Sequence, residues 1–252
     1  MVYCANTDVG RVRTLNEDSY IVKEYGEDAI LTVIADGMGG HNAGEKASRI
    51  AVDCFVKRID ENYSDIFTYS DRKILQTMKK VVSYINEEIY SMSIKDSSLY
   101  GMGTTIVACL VIKNKYYVVN VGDSRLYHLS KSSIFQITKD HSYVAELLDI
   151  GVITKEQALV HPKKNVITRA IGTESTVESD GFSGVLKNNE CLLLCTDGLT
   201  NMLNDEFLFE TFSNESDIKK ISAKLLDKSN AMGGIDNITF IILKNEERGT
   251  RK

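Results

Sequence analysis

The apolar runs of this chain keep stopping at an aspartate. Ile30–Ala35 ends in Asp36-Gly37, Val118–Val121 in Gly122-Asp123-Ser124 and Cys191–Thr196 in Asp197-Gly198, while Ile238–Leu243 is preceded by Asp236-Asn237. Short β-branched apolar runs bounded by turn residues read as buried strands. Further strands are expected at Tyr20–Val22, Thr105–Ile112, Tyr116–Val121, Arg125–Leu129 and Ile134–Ile137. Two helical stripes intervene: Ala47, Ile50, Ala51, Cys54 and Phe55, then Ile74, Met78, Val81, Val82, Ile85, Ile89 and Met92, the second with Ser70-Asp71 as its N-terminal cap. Shorter helical pieces are expected around Val144–Leu148 and Lys155–Leu159, and a longer one around Ile218–Lys228. Strand runs alternate with pairs of helices rather than single ones. That pattern predicts an α+β fold of antiparallel sheets covered by helices, not a doubly wound parallel sheet.

Asp and Gly are common turn residues, and any one of these strand ends has that plain explanation. Several acids meeting at one rim of an antiparallel core would instead repel one another and raise each other's pKa unless cations neutralised them. Carboxylate, carbonyl and water ligands suit Mg²⁺ or Mn²⁺ rather than zinc or copper. Two such ions about 3.5–4 Å apart, bridged by one Asp, lower the pKa of a shared water and clamp a phosphoryl oxygen.

The balance of 30 Lys and Arg against 35 Asp and Glu leaves a net charge of −5, so no basic face for nucleic acid is advertised. No apolar stretch is long enough to span a bilayer. The N-terminal residues lack the basic and apolar regions of a signal peptide, and a cytoplasmic location is expected. The five cysteines form no CxxC pair and read as reduced thiols, three of them within apolar runs. His128, His141 and His161 show no partnering pattern and are expected to be surface or packing residues. With no linker or repeat in view, residues 1–243 read as one domain and 244–252 as a charged, frayed tail.

In order along the chain stand Arg13-Thr14-Leu15-Asn16-Glu17-Asp18, Ala35-Asp36-Gly37-Met38-Gly39-Gly40-His41, Gly101-Met102-Gly103-Thr104-Thr105, Asn120-Val121-Gly122-Asp123-Ser124-Arg125, Cys195-Thr196-Asp197-Gly198-Leu199 and Gly234-Ile235-Asp236-Asn237-Ile238-Thr239. In content and order this set closely resembles the metal-dependent protein phosphatases of type 2C, in their single-domain bacterial form. The resemblance implies a four-layer α-β-β-α sandwich, two antiparallel sheets flanked by pairs of antiparallel helices. It implies two tightly bound Mn²⁺ or Mg²⁺ ions and a third, weaker one. Asp36 would bridge the two ions, with the Gly37 carbonyl on one, and Asp197 and Asp236 on the second. Glu17 and Asp18 would hold metal-bound waters, and Asp123 with Asp197 would hold the third ion. Arg13 would grip the substrate phosphate with its fork of donors. The segment 141–165 would be a variable flap beside the site. Three roles stay open for His41: protonating the leaving alkoxide, capping the helix that begins near Ala43, or touching the phosphopeptide.

The activity implied is hydrolysis of phosphoserine and phosphothreonine in proteins by direct attack of a metal-bound water or hydroxide. Serine/threonine kinase targets, possession of a kinase partner and a monomeric state belong to the same expectation. No cysteine has Arg six residues later, as a cysteine-based phosphatase requires. Two rivals remain open. One is a pseudophosphatase that binds phosphoproteins without turnover. The other is a nucleotide-binding protein with Gly37-Met38-Gly39-Gly40 as a phosphate cradle, although no Gly-Lys-Ser/Thr follows.

Overall fold

A computed structural model describes residues 1–39 and 43–246. Its strands are β1 (Val2–Asp8), β2 (Asp18–Tyr25), β3 (Ala29–Met38), β4 (Gly103–Thr104), β5 (Ile106–Ile112), β6 (Lys115–Val121), β7 (Arg125–Leu129), β8 (Ile134–Gln136), β9 (Asp180–Val185), β10 (Cys191–Cys195) and β11 (Ile238–Lys244). They form two antiparallel sheets, one in the order β1-β11-β10-β7-β8 and the other β2-β3-β5-β6-β9, with the short β4 paired to β3. The helices are α1 (Ala43–Glu61), α2 (Tyr63–Ile66), α3 (Asp71–Lys95), α4 (Tyr143–Asp149), α5 (Lys155–Leu159), α6 (Asp197–Thr200), α7 (Asp205–Asn214) and α8 (Ile218–Ala231).

The alternation of side chains along each strand builds the layers, because successive residues point to opposite faces. In β3, Leu31, Val33 and Ala35 pack with α1 and α3 residues such as Phe55, Ile59, Met78 and Ile85. Ile30 and Ile34 turn the other way and meet Val107, Cys109, Val118, Leu192, Leu194, Ile241 and Leu243 between the sheets. On the far side, Leu193, Phe240 and Ile242 pack against Leu199, Leu208, Ile221 and Leu225 from α6, α7 and α8. Three apolar layers therefore separate four layers of secondary structure, as expected for the α-β-β-α sandwich. The strands are apolar on both faces because both faces are covered.

The α3 helix begins at the expected cap, with the Ser70 side chain accepting from Lys73 N–H. The frayed tail needs correction at its start. Lys244 is the last residue of β11 and is buried, its Nζ donating to the Ser216 carbonyl at 2.8 Å. Asn245 N–H donates to the Glu190 carbonyl, and its own carbonyl accepts from Asn189 N–H. A lysine at the end of a buried strand reads as surface in sequence, but its long stem reaches a backbone acceptor here. The cysteines of the described residues are free thiols, with Cys109, Cys191 and Cys195 buried.

Candidate metal centre

Opposite ends of different strands deliver the acids to one rim of the sandwich. Asp18 opens β2 and lies directly across the ladder from Asp36 near the end of β3. Asp197 begins α6 just after β10, and Asp236 lies just before β11, the neighbour of β10 in the other sheet. Asp123 sits in the turn where the chain crosses from β6 in one sheet to β7 in the other. One sheet thus contributes Asp18 and Asp36, the other Asp197 and Asp236, and the crossing contributes Asp123.

Backbone pairing holds these acids in place. Glu17 N–H donates to the Asn237 side-chain carbonyl at 2.9 Å, and Asn237 Nδ2 donates to the Val9 and Leu15 carbonyls at 3.0 and 2.9 Å. One buried asparagine therefore pins both ends of the loop that carries Arg13 to the strand end that carries Asp236. Across the rim, Asp36 N–H donates to Thr105 Oγ1 at 3.0 Å, while Thr105 N–H and Thr104 Oγ1 donate to the Asp36 carbonyl at 2.9 and 2.8 Å. Gly37 N–H donates to the Glu17 carbonyl. A Cβ at Gly37 would stand 2.2 Å from the Gly44 carbonyl oxygen, so only glycine lets α1 begin this close to the strand end.

The carboxylates are electrostatically frustrated. Burial lifts the Asp18 pKa to about 7, helped by repulsion from Asp197 and Asp236 and opposed by hydroxyl donors on Thr239 and Thr196. Asp36 is raised well above the ordinary range, by burial first and then by Asp18, Asp197, Asp123 and Asp236. Asp123 is lifted to about 8 by burial, then by Asp197 and Asp140. Asp197 is raised by burial and by Asp236, while Asn201 Nδ2 donates to its Oδ2 at 2.9 Å. The Glu17 pKa is also raised, chiefly by burial. Mutual perturbation on this scale places five aspartates within one electrostatic neighbourhood.

Asp18 Oδ1, Asp123 Oδ1 and Glu17 Oε1 are buried oxygens without a hydrogen-bond partner. Buried polar atoms ordinarily have a partner, and carboxylate oxygens of this kind have the chemistry to serve a hard divalent cation. Among the described residues, no group of three or more acidic, histidine or cysteine side chains is drawn together tightly enough to encircle one ion. Oxygen donors of this kind suit hard divalent cations, which accept few carboxylates each and keep part of their own water. Arg13, half-exposed, reaches over the rim and donates from Nη2 to Asp236 Oδ2 at 2.8 Å.

The profile of the protein phosphatase 2C family matches residues 10–227. The chain belongs to that family, the metal-dependent serine/threonine phosphatases. Among the phosphatase 2C relatives, the serine/threonine phosphatase stp of Listeria monocytogenes is 37% identical over 241 residues, which cover 95% of this chain and 94% of the relative. Protein phosphatase PhpP of Streptococcus pneumoniae is 34% identical over 245 residues, 96% of either chain. The crystal structure of a Staphylococcus aureus serine/threonine phosphatase superposes with a TM-score of 0.89 at 33% identity, covering 97% of this chain and 95% of that one. The catalytic domain of the serine/threonine phosphatase PstP, solved in complex with two manganese ions, superposes with a TM-score of 0.81 at 32% identity and 96% coverage of both chains.

Within this phosphatase 2C chain, Asp18, Asp36, Gly37, Asp123, Asp197 and Asp236 are brought to the rim together, with Arg13 on its edge. His41 lies outside the described residues. His128 pairs with Glu190 at 2.8 Å, remote from the acids. His141 is buried, in keeping with a packing role, but both of its ring nitrogens have polar neighbours that the sequence pattern did not show. Reading the sequence also missed Asn237 and Thr105 as organisers, since hydrogen-bonding side chains that serve backbone groups carry no distinctive spacing. Their places inside the quoted motifs were the available signal.

Proposed function

We propose that the acidic rim is the catalytic centre of this serine/threonine phosphoprotein phosphatase, where Asp36 and the Gly37 carbonyl, with Asp197 and Asp236, would hold two divalent ions. Glu17 and Asp18 would orient water at those ions, and Asp123 with Asp197 would hold a third, weaker one. The observation that carries this reading is the set of orphaned, mutually repelling carboxylates, which demands positive charge. When bound, the ion pair lowers the pKa of a water and clamps a phosphoryl oxygen for in-line displacement. The chain's own residues then do three things. Thr196 Oγ1 donates to Asp18 Oδ2 at 3.0 Å, while Oδ1 of that carboxylate is buried without a hydrogen-bond partner. Asn201 fixes the Asp197 carboxylate from behind. Arg13 exchanges its contact with Asp236 for the substrate phosphate, whose oxygens accept two parallel bonds from the guanidinium fork.

Substrates in this reading are phosphoserine and phosphothreonine proteins, with a serine/threonine kinase among the partners, and the chain acts as a cytoplasmic monomer. Among the described residues no helix is long and apolar enough to cross a membrane. A Mn²⁺ and Mg²⁺ titration of phosphothreonine-peptide hydrolysis tests the reading. Phosphate release should rise with metal and vanish in excess chelator. Metal binding without release at any metal concentration would make the chain a phosphoprotein-binding pseudophosphatase.

A further inference from the structure

His141 is the one buried histidine of the described residues, and the phosphatase reading leaves it without a role. It stands between β8 and α4, where the chain leaves the five-stranded sheet. Its backbone and its ring both close on Gly122. His141 N–H donates to the Gly122 carbonyl at 3.0 Å, and Gly122 N–H donates to His141 Nδ1 at 3.0 Å. The residue before it, Asp140, accepts from Arg125 Nε at 3.0 Å and from Arg125 Nη2 at 2.7 Å. Two consecutive side chains therefore grip the turn Gly122-Asp123-Ser124-Arg125 at either end. Between the grips lies Asp123, with its orphaned Oδ1. Ser124 adds a third tie, its hydroxyl 2.7 Å from Thr105 Oγ1, the acceptor for Asp36 N–H.

The hydrogen bonds decide the tautomer of the ring. Gly122 N–H occupies the Nδ1 lone pair, so the proton of the neutral imidazole resides on Nε2. Nε2 faces Asp180 Oδ2 at 3.4 Å and Arg169 Nη1 at 2.9 Å. Of these two neighbours the carboxylate is the acceptor, at a distance too long for a strong hydrogen bond, while Arg169 Nη1 also donates to Asp180 Oδ1 at 3.3 Å and to the Glu178 carbonyl at 3.2 Å. Asp180 opens β9 directly across the ladder from Asn120, two residues before Gly122, so the carboxylate and the turn share one rigid ladder. The opposite tautomer would set Nδ1–H against Gly122 N–H, leaving two buried donors facing each other without an acceptor.

We propose that His141, whose Nδ1 is fixed as the acceptor for Gly122 N–H, is the positioning residue for the Asp123 carboxylate and thereby sets the affinity of the weak ion site. This rests on the assignment of an ion to Asp123. An outer side chain that orients a ligand-bearing group is the arrangement by which metal sites are tuned, and its loss weakens binding about 10–100-fold. The effect reaches Asp123 through one peptide unit, so the carboxylate keeps its charge but loses its fixed place.

Calorimetric Mn²⁺ titration of the whole chain tests the proposal with Asp123→Asn, His141→Leu and His141→Asn side by side. The Asn side-chain carbonyl can stand near the Nδ1 position and accept from Gly122. His141→Leu and Asp123→Asn should both weaken the low-affinity class of sites, the former about 10–100-fold, while the tight class persists. His141→Asn should recover most of the loss. The metal midpoint for phosphothreonine-peptide hydrolysis should move up by the same factor as the weak affinity. Histidine ¹⁵N shifts should give His141 an unprotonated Nδ1 and a protonated Nε2. If His141→Leu does not fold, His141→Gln, whose amide reaches the Nε2 side and leaves Gly122 without an acceptor, takes its place. A weak class lost in Asp123→Asn but intact in the His141 variants overturns the positioning role and leaves the ion at Asp123 standing. A weak class unchanged in all variants removes the ion from Asp123, and the positioning role falls with it. A protonated Nδ1 would also overturn it.

Discussion

Asp18 and Asp36 face each other across adjacent strands, and among the described residues neither has a basic side chain hydrogen-bonded to it. Replacing a carboxylate here by its amide keeps the size and removes a charge, with opposite consequences in two states of the protein. In metal-free protein, Asp36→Asn relieves repulsion from four neighbouring aspartates, so its Tm should rise. With Mn²⁺ present, the same variant should lose most of the metal-induced increase in Tm and about a thousandfold or more in turnover, the scale of several kcal/mol of lost charge stabilisation. Asp197→Asn and Asp236→Asn should follow it in activity. Full turnover by Asp36→Asn at ordinary metal concentration would remove the bridging role. Arg13 makes a different demand. The phosphate is charged in both ground and transition states, so Arg13→Ala should raise KM for phosphopeptides more than it lowers kcat. Arg13→Lys should recover only part, since it supplies charge without the fork. An unchanged KM with a much lower kcat would contradict the assignment.

The elements meet so closely at the rim that one methyl group should be felt. A Cβ on Gly198, in the first turn of α6, would stand 1.9 Å from the Asn237 carbonyl oxygen just ahead of β11. Asn237 also ties the Arg13 loop, so Gly198→Ala should push α6, β11 and that loop apart together. The expected loss is about 1–3 kcal/mol of stability, several degrees in Tm for a chain of this size, together with weaker metal binding. A variant with unchanged Tm and metal isotherm would show that the contact yields freely. What the sequence made legible at this scale follows burial. The strands β3, β5, β10 and β11 and the helices α1 and α3 stood out because their apolar stripes are long and their periods unambiguous. The β1 strand escaped notice because it is an edge strand with no buried residue: Val2, Tyr3 and Thr7 are exposed and the rest half-buried. β9, with Gly181 and Gly184 and a largely exposed outer side, carries no apolar alternation either. Both are defined by the partner they pair with, β11 and β6, rather than by their own composition. Asp36, Asp123, Asp197 and Asp236 were legible because each follows or precedes a buried strand, whereas Asp18 entered only through the family resemblance of its motif. His141 was not, since its partners Gly122, Asp180 and Arg169 are 19, 39 and 28 residues away in sequence.

At the scale of the whole molecule, the acidic rim is the place where two sheets with separate outer helical layers come together. Asp18 and Asp36 belong to one sheet, Asp197 and Asp236 to the other, and their repulsion acts across the sandwich. Folded-state pKa values near 7 for Asp18 and 8 for Asp123 lie above the value of about 3.9 expected in an unfolded chain. Between those limits the folded state binds more protons than the unfolded one, so stability falls as pH rises. Metal-free protein should accordingly melt at progressively lower temperature from about pH 5 to about pH 8. Excess Mn²⁺ replaces the protons with charge that does not titrate away, and it binds the folded chain alone, adding RT ln(1 + [L]/Kd). The metal-induced rise in Tm should therefore be larger at pH 8 than at pH 5.5, where protons compete for the same oxygens. Asp36→Asn should flatten the metal-free slope because it removes the carboxylate that feels the most neighbours. Scanning calorimetry of both proteins, with chelator and with Mn²⁺ at the two pH values, checks this. A metal-free Tm that rises through that interval would mean that the aspartates are paired within the fold, and that the rim needs no cation to hold the sheets together.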